Sequence, residues 1–330
     1  MKKIIPLFLI ITLSVLMLCG CTYRAENYVF GTYYSIKIEG YGSQKIGKSI
    51  DSLFIELDNA LSTSKADSDL YLINNATENQ PITVSKYTIE LFKISKEIYD
   101  LSNGAFNPAS FPLTELWKFS PSTYVGVANS IPSNEEIDAI LPYCGLEQFV
   151  LDEQNQTITK LNANAKLDFG AIAKGYAADK AYEVASDSKK SVIDVGRTFK
   201  IKDSINLLIA SPRGNDYVAS ATLNNQAVAT SGDYERFYMV NDKRYHHIID
   251  KNGYPAGIFQ DDPIHSVTIV GESATIADAL STAVFVLGYE NSISLLSHYD
   301  CSALIITENG YYTVGDTSFE INDHSLEKLN

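Results

Sequence analysis

The sequence predicts an α+β fold with mixed and antiparallel strands against packed helices, and three observations carry that expectation. Amphipathic helices and short β-branched strands share one chain without regular strand–helix–strand alternation, which argues against a doubly wound sheet. Many strand signals come in pairs around polar or Asn/Asp turns, as antiparallel hairpins do. Neither an internal repeat nor a low-complexity linker divides the chain, so residues 28–330 are expected to form one domain.

The elements follow in order. Val29–Glu39 alternates β-branched and aromatic residues and reads as a first strand. Ile46, Ile50, Leu53, Phe54 and Leu57 recur at helical spacing over 46–60, and a second amphipathic helix over 89–101 stops at Asn103-Gly104. Ser133 opens a third, with Glu135 and Glu136 in its first turn. Residues 148–167 read as a hairpin and Ile172–Ala185 as a helix. Short strands are expected near 191–195, 206–209, 218–223 and 227–229, then at 236–240 and 244–249 around Asn241-Asp242. A strand at 266–270, a strongly apolar helix at 274–287 and a hairpin at 301–314 complete the chain.

Charge and leader bound the function. Twenty-six basic against 40 acidic residues give a net charge of −14, which repels phosphate backbones and argues against a nucleic-acid partner. A small anionic ligand would need a local metal ion or helix terminus. Lys2 and Lys3 precede an apolar run, Ile4–Leu18, too short to read best as a membrane span. It ends Cys19-Gly20-Cys21, which resembles a bacterial lipobox with cleavage before Cys21 and lipid on its sulfur. Residues 1–20 are then a signal peptide and 21–27 a polar tether, and the protein is expected outside the cytoplasm, lipid-anchored to a cell membrane. Cys144 and Cys301 remain; two buried small hydrophobes are preferred over a disulfide.

Four segments carry chemical signal. In Leu167-Asp168-Phe169-Gly170-Ala171-Ile172-Ala173-Lys174-Gly175, an acidic residue is expected to end a strand and a small-residue turn to open a helix. Such a turn suits a phosphate, yet neither standard nucleotide motif is present, and a ligand-free turn is as good a reading. Asp278 and Thr282 lie four apart, so on a helix they share a face; two hard oxygens there suit Mg2+, but taken alone the pair is better read as a solvated Asp and a core-facing Thr. Residues 229–237 lead to the adjacent His246 and His247, which on a strand point to opposite faces, so one could serve as acid or base. Gly104-Ala105-Phe106-Asn107-Pro108 is a turn beside aromatics that could stack a planar ring or form a core corner.

The segments DFGAIAKGYAAD, VATSGDYERF, YHHIID and SVTIVGESATIADALSTAVFVLG occur in this order, with FGTYYSIKI and GAFNP before them. Together they resemble the ApbE family of FAD:protein FMN transferases from about Phe30 to Gly288. The resemblance implies an ApbE-like fold and Mg2+-dependent transfer of FMN from FAD to a Thr or Ser hydroxyl of a target protein, with AMP leaving. It implies Asp278, Thr282 and the main chain of Ala171 as metal ligands. It places FAD contacts at Phe30, Ser64, Ala105, Phe106, Asn107, Asp168, Lys174 and Ile249, with His247 as candidate acid/base.

Three departures stand out. Asn107 replaces a usual Asp, Asp194-Val195-Gly196-Arg197-Thr198 replaces Asn-Leu-Gly-Gly-Asn, and the turn over residues 250–255 is one residue short. Two rivals therefore stay open, a noncatalytic FAD-binding lipoprotein and an FAD pyrophosphatase giving FMN and AMP. A fainter one rests on Ser62-Thr63-Ser64-Lys65 and Lys251-Asn252-Gly253, which imitate penicillin-binding motifs without the intervening S-D-N.

Overall fold

The computed structural model describes residues 22–120, 123–127 and 130–329. The signal segment, Cys19 and the lipidation candidate Cys21 lie outside these residues. The chain doubles back at Phe30-Gly31, between β1 (Thr22–Val29) and β2 (Thr32–Glu39), which pair antiparallel from Thr22↔Glu39 to Val29↔Thr32. Phe30 and Gly31 have φ of 52° and 72°, the left-handed pair whose twist matches a two-residue hairpin. The stretch expected as a tether is therefore an edge strand. Its alternate residues explain why: the Tyr23 ring lies over Gly47, where a Cβ would come within 1.9 Å, and its hydroxyl donates to Asp51 alongside that of Tyr34. A polar reading of 22–27 overlooked this aromatic anchor.

There follow α1 (Ser43–Leu61), α2 (Asp69–Asn75), β3 (Pro81–Thr83), α3 (Lys86–Leu101), α4 (Phe111–Leu116) and α5 (Asn134–Ile140). The spacing expected of α1 is realised: Ile50, Phe54 and Leu57 are fully buried. Ser133 caps α5 in a capping box, accepting the Glu136 N–H while Glu136 accepts the Ser133 N–H. Next come β4 (Phe149–Asp152), β5 (Thr157–Lys160), α6 (Ala173–Val184), β6 (Lys190–Val195), β7 (Thr198–Lys202), β8 (Ser204–Ala210), β9 (Tyr217–Asn224), β10 (Ala227–Gly232), β11 (Phe237–Val240) and β12 (Lys243–His246). The chain ends with β13 (Ile264–Gly271), α7 (Ala274–Leu287), α8 (Tyr289–His298), β14 (Ser302–Thr307), β15 (Tyr311–Val314) and β16 (Phe319–Ile321).

Eight strands form one antiparallel sheet in the order β1-β2-β6-β7-β10-β13-β14-β15, and β16-β9-β8 form a second. The central strands read as apolar runs because both faces are covered. Ala227, Ala229, Val267, Ile269, Ala303 and Ile305 pack into the main core with α1, α6 and α7. Val228 and Val270 on the opposite face meet Leu223, and Leu304 and Ile306 meet Val218. A small aromatic lobe sits apart on α4, α5 and the β11–β12 hairpin. There Trp117 stacks on Tyr245 at 5.7 Å, Phe119 stacks on Tyr238 at 4.9 Å, and the Trp117 indole N–H donates to Gly253 O at 2.7 Å.

Two contacts lock α6 to α7. Gly175 lets the helices approach so closely that a Cβ there would stand 2.1 Å from Ala274 O and 2.8 Å from Asp278 Cβ. One turn further on, Asp179 of α6 accepts the Ala274 and Thr275 N–H groups at 2.9 Å and the Ser273 and Thr275 hydroxyls at 2.7 Å. Those amides lie at the start of α7, so the carboxylate also answers the helix's partial positive charge. Gly175→Ala should separate the two helices and cost about 1–3 kcal/mol, the usual range for overpacking a filled core. Urea denaturation measures this, and an unchanged midpoint would contradict the tight approach.

Candidate active site

The turn before α6 is held by side chains rather than by a sheet. Both main-chain groups of Leu167 bond the buried Asn74 side chain: its amide donates to Leu167 O at 2.8 Å, and its carbonyl accepts Leu167 N–H at 2.7 Å. Lys160, itself buried, donates to Asn74 O and Ala163 O and so fixes this clamp. The strand expected to end at Asp168 is therefore absent at that point. One asparagine takes the role of a neighbouring strand, and sequence periodicity does not report such a partner. Asp168 N–H donates to Pro108 O at 2.8 Å, tying the turn to the 104–108 corner, and the Asp168 carboxylate accepts Gly170 N–H at 2.9 Å. Burial raises the Asp168 pKa, opposed by the Gly170 N–H and by Arg236 and Lys174.

Asp278 projects from α7 onto the same turn. Its side chain is only 6% exposed and is ringed by donors: Lys174 Nζ at 3.0 and 3.1 Å, Gly175 N–H at 3.0 Å and Thr198 Oγ1 at 3.4 Å. Lys174 Nζ also donates to Gly170 O at 3.1 Å, so a cation already bridges a turn carbonyl and the α7 carboxylate. One turn along, Thr282 Oγ1 lies 3.2 Å from Ser231 Oγ of β10, which bonds Ser281 Oγ at 2.7 Å. Ala171 is half-buried between Gly170 and the helix start. Against a hard divalent ion the donors fit: a carboxylate, hydroxyls and turn carbonyls are all oxygens, and an ammonium already stands among them. Among the described residues no three His, Cys, Asp or Glu side chains gather as a ligand cluster, so a cation here would draw on few protein ligands.

The histidines do not divide into one facing a site and one solvated: only His246 lies on the strand, and neither is exposed. His246 faces inward, its Nε2 3.0 Å from Ala256 O, and burial lowers its pKa to about 4. His247 lies just beyond β12, with its N–H bonded to Arg236 O at 3.1 Å. Its Nδ1 is buried without a protein partner. Burial and then the Arg236 guanidinium hold its pKa well below the usual imidazole value, and the Lys174 charge acts in the same direction. Arg236 itself donates to Phe119 O at 2.7 Å.

The other predicted contacts divide. Phe30 N–H donates to Asp58 at 3.1 Å, and Asp58 pairs with Lys65 of the loop that carries the exposed Ser64. Phe30 and Ser64 thus share one end of α1. Lys65 is spoken for by Asp58 and Asn59, which removes the ammonium a Ser62-x-x-Lys65 site would use. Ala105 and Phe106 are buried, Phe106 within the main core. The Asn107 amide is spent inside its corner, donating to Cys144 O at 2.8 Å and accepting Ala109 N–H at 2.9 Å. Ile249 pairs with Pro255 across the short turn and packs against the aromatic lobe. Cys144 and Cys301 are free thiols whose pKa values burial raises to about 12 and about 11. Gly175, Asp179, Thr198, Ser231 and Arg236 were given no role from sequence, although all five lie inside quoted segments; the geometry assigns what each does.

Known proteins resemble this chain over most of its length. An FAD:protein FMN transferase of Klebsiella pneumoniae is 30% identical over 293 residues, covering 87% of this chain and 90% of its own length. The ApbE protein of Thermotoga maritima superposes with a TM-score of 0.78 at 31% identity, covering 91% of this chain and 97% of its own. The flavin transferase ApbE from Vibrio cholerae gives 0.77 at 26% identity, over 89% and 97%. The model of the ApbE family matches residues 30–305, a span that takes in the Phe30 turn, the 104–108 corner, the Asp168–Gly175 turn and the Asp278–Thr282 helix face, and the chain belongs to that family.

Proposed function

We propose that this protein is an FAD:protein FMN transferase that uses Mg2+ to move FMN from FAD to a Thr or Ser hydroxyl of an extracytoplasmic target protein, releasing AMP. The observation that carries the reading is the meeting of Asp278 with Lys174 and Gly175 at 3.0 Å, which, with Lys174 also on Gly170 O, brings a carboxylate, one turn carbonyl and the start of α6 around one point. The relatives' shared name supplies the reaction.

Asp278, Thr282 and the main chain of Ala171 would hold the metal, which supplies charge neutralisation at the diphosphate as phosphorus is attacked. The first turn of α6, whose cap position Ile172 makes no side-chain cap bond, offers partial positive charge to the same phosphates. Phe30, Ser64, Ala105, Phe106, Asn107, Asp168, Lys174 and Ile249 line the proposed path of FAD. The neutral His247 ring takes the proton of the attacking hydroxyl, and AMP carries away the phosphate oxygen of the broken P–O bond. The leader adds the location: the basic Lys2-Lys3, the apolar 4–18 run and Cys21 support a lipid-anchored protein facing outward. No helix among the described residues is long and apolar enough to cross a membrane.

Incubation with FAD, Mg2+ and a candidate acceptor domain, followed by mass spectrometry, should show one FMN added and free AMP; AMP without a flavinylated acceptor would favour the pyrophosphatase. Asp278→Ala should lower Mg2+-dependent turnover by roughly 10²–10³, the scale for losing one preorganised electrostatic partner, and full retained activity would remove Asp278 from the metal site. His247→Ala should slow transfer far more than it weakens FAD binding. Because the folded pKa of His247 is depressed, the base is already formed at neutral pH, and the acid limb of the wild-type rate profile should fall below the usual imidazole value of 6.5. A limb above that value would exclude this role. Cys21→Ala should move the protein from the membrane to the soluble fraction, and persistent anchoring would contradict lipidation.

A further inference from the structure

Lys174 cannot hold its present position and also serve a bound metal. Its ammonium spans both Asp278 oxygens and Gly170 O at 3.0–3.1 Å, on the very carboxylate proposed to take the divalent ion. The remaining approaches to Asp278 are taken by the Gly175 N–H and Thr198 hydroxyl, so an ion entering this face meets the ammonium first. An ammonium and a divalent cation sharing one carboxylate repel each other strongly where solvent is scarce, and Asp278 is 6% exposed. The lysine has somewhere to go. Its side chain is 25% exposed, and its stem runs beside Gly196, where a Cβ would stand 3.1 Å from Lys174 Cδ. The ionisable groups that feel Lys174 are Asp168 and the neutral His247, both of which also feel Arg236, and Asp168 already accepts from Gly170. An anionic diphosphate is the partner that answers both its charge and its place at the start of α6.

We infer that Lys174 is the resident counter-cation of Asp278, and that it exchanges for the divalent ion by transferring to the phosphates of the dinucleotide. This rests on the metal reading above. It makes Lys174 a positioning residue that couples the two ligands: the metal binds weakly until a diphosphate takes the ammonium, and by linkage each ligand tightens the other equally.

The test is Mn2+ binding followed by electron paramagnetic resonance on the full chain without FAD. Lys174→Met and Lys174→Gln should bind Mn2+ roughly tenfold tighter than wild type, the direction expected when a like charge leaves. Lys174→Arg should stay at the wild-type value, and Asp278→Asn should lose binding. Read by flavin fluorescence, Mg2+ should tighten FAD binding in wild type and do so less in the Met and Gln variants. A purely structural lysine would loosen metal binding when replaced, so unchanged or weaker Mn2+ affinity in folded Lys174→Met and Lys174→Gln overturns the exchange while leaving the metal site standing. Mn2+ affinity indifferent to Asp278→Asn overturns the metal reading and the exchange together.

Discussion

Everything in the proposed site depends on how closely α6 and α7 approach at Gly175. A buried carboxylate is costly unless donors surround it. Asp278 finds them because the glycine brings a main-chain N–H within 3.0 Å and carries Lys174 beside it. Asp179 makes the same approach reproducible from the other side, gathering the N–H groups that α7 would otherwise leave unpaired. Two aspartates, one on each helix and each bonded to the other helix, fix rotation as well as distance. The Asp278–Thr282 stripe therefore faces β10 and the turn rather than solvent, and the same helix face that fills the core at Ala277, Leu280 and Val284 is kept in register with it.

This geometry also resolves an electrostatic difficulty. A chain of net charge −14 is a poor host for a dinucleotide diphosphate. Lys174, Arg236 and the start of α6 concentrate positive potential at one place, where low solvent exposure makes each charge count for more than it would at the surface. The cost of that concentration is visible in its neighbours. Arg236 and Lys174 push the His247 ring toward neutrality, as burial does more strongly, and they draw the buried Asp168 back toward ionisation. The proposed acid–base group and the proposed phosphate-binding groups, set side by side, thus tune each other in the useful direction.

Helix faces were legible in the sequence because their apolar period is local: α7 was expected at the residues it occupies, and α1 and α6 within three residues of their observed ends. Hairpins with polar turns were legible for the same reason. What could not be read were elements defined by distant partners. β1 looked polar because its half-buried ring, Tyr23, needs Gly47 and Asp51 beneath it. The stretch ending at Asp168 looked like a strand, yet the partner of Leu167 is the Asn74 side chain, 93 residues earlier in the chain. The site behaved likewise. Asp278 and Thr282 could be paired by counting along a helix, while Ser231, Thr198 and Gly175 enter only through the tertiary fold.

The departures from the family pattern can be weighed physically. Arg197 follows Gly196 in a two-residue turn between β6 and β7, with φ of 67° and 59°, and its N–H is held by Asp194 at 2.8 Å. The left-handed cost of a non-glycine there is met by that bond and by the turn's fit to strand twist. Its guanidinium reaches outward to Glu235 at 3.3 Å and is 70% exposed, so the bulky side chain does not fill the space beside Lys174. Asn107 is more constraining. An aspartate could still accept the Ala109 N–H, but it could not donate to Cys144 O, so in this chain the amide belongs to the corner's own architecture. The short 250–255 turn is closed by Asp250, which accepts the Asn252 and Tyr254 N–H groups, and is pinned by Trp117 on Gly253. Asn107, Arg197 and the short turn are thus absorbed at the rim or inside a corner; of the departing residues, Thr198 does meet the carboxylate, its hydroxyl donating to Asp278 at 3.4 Å.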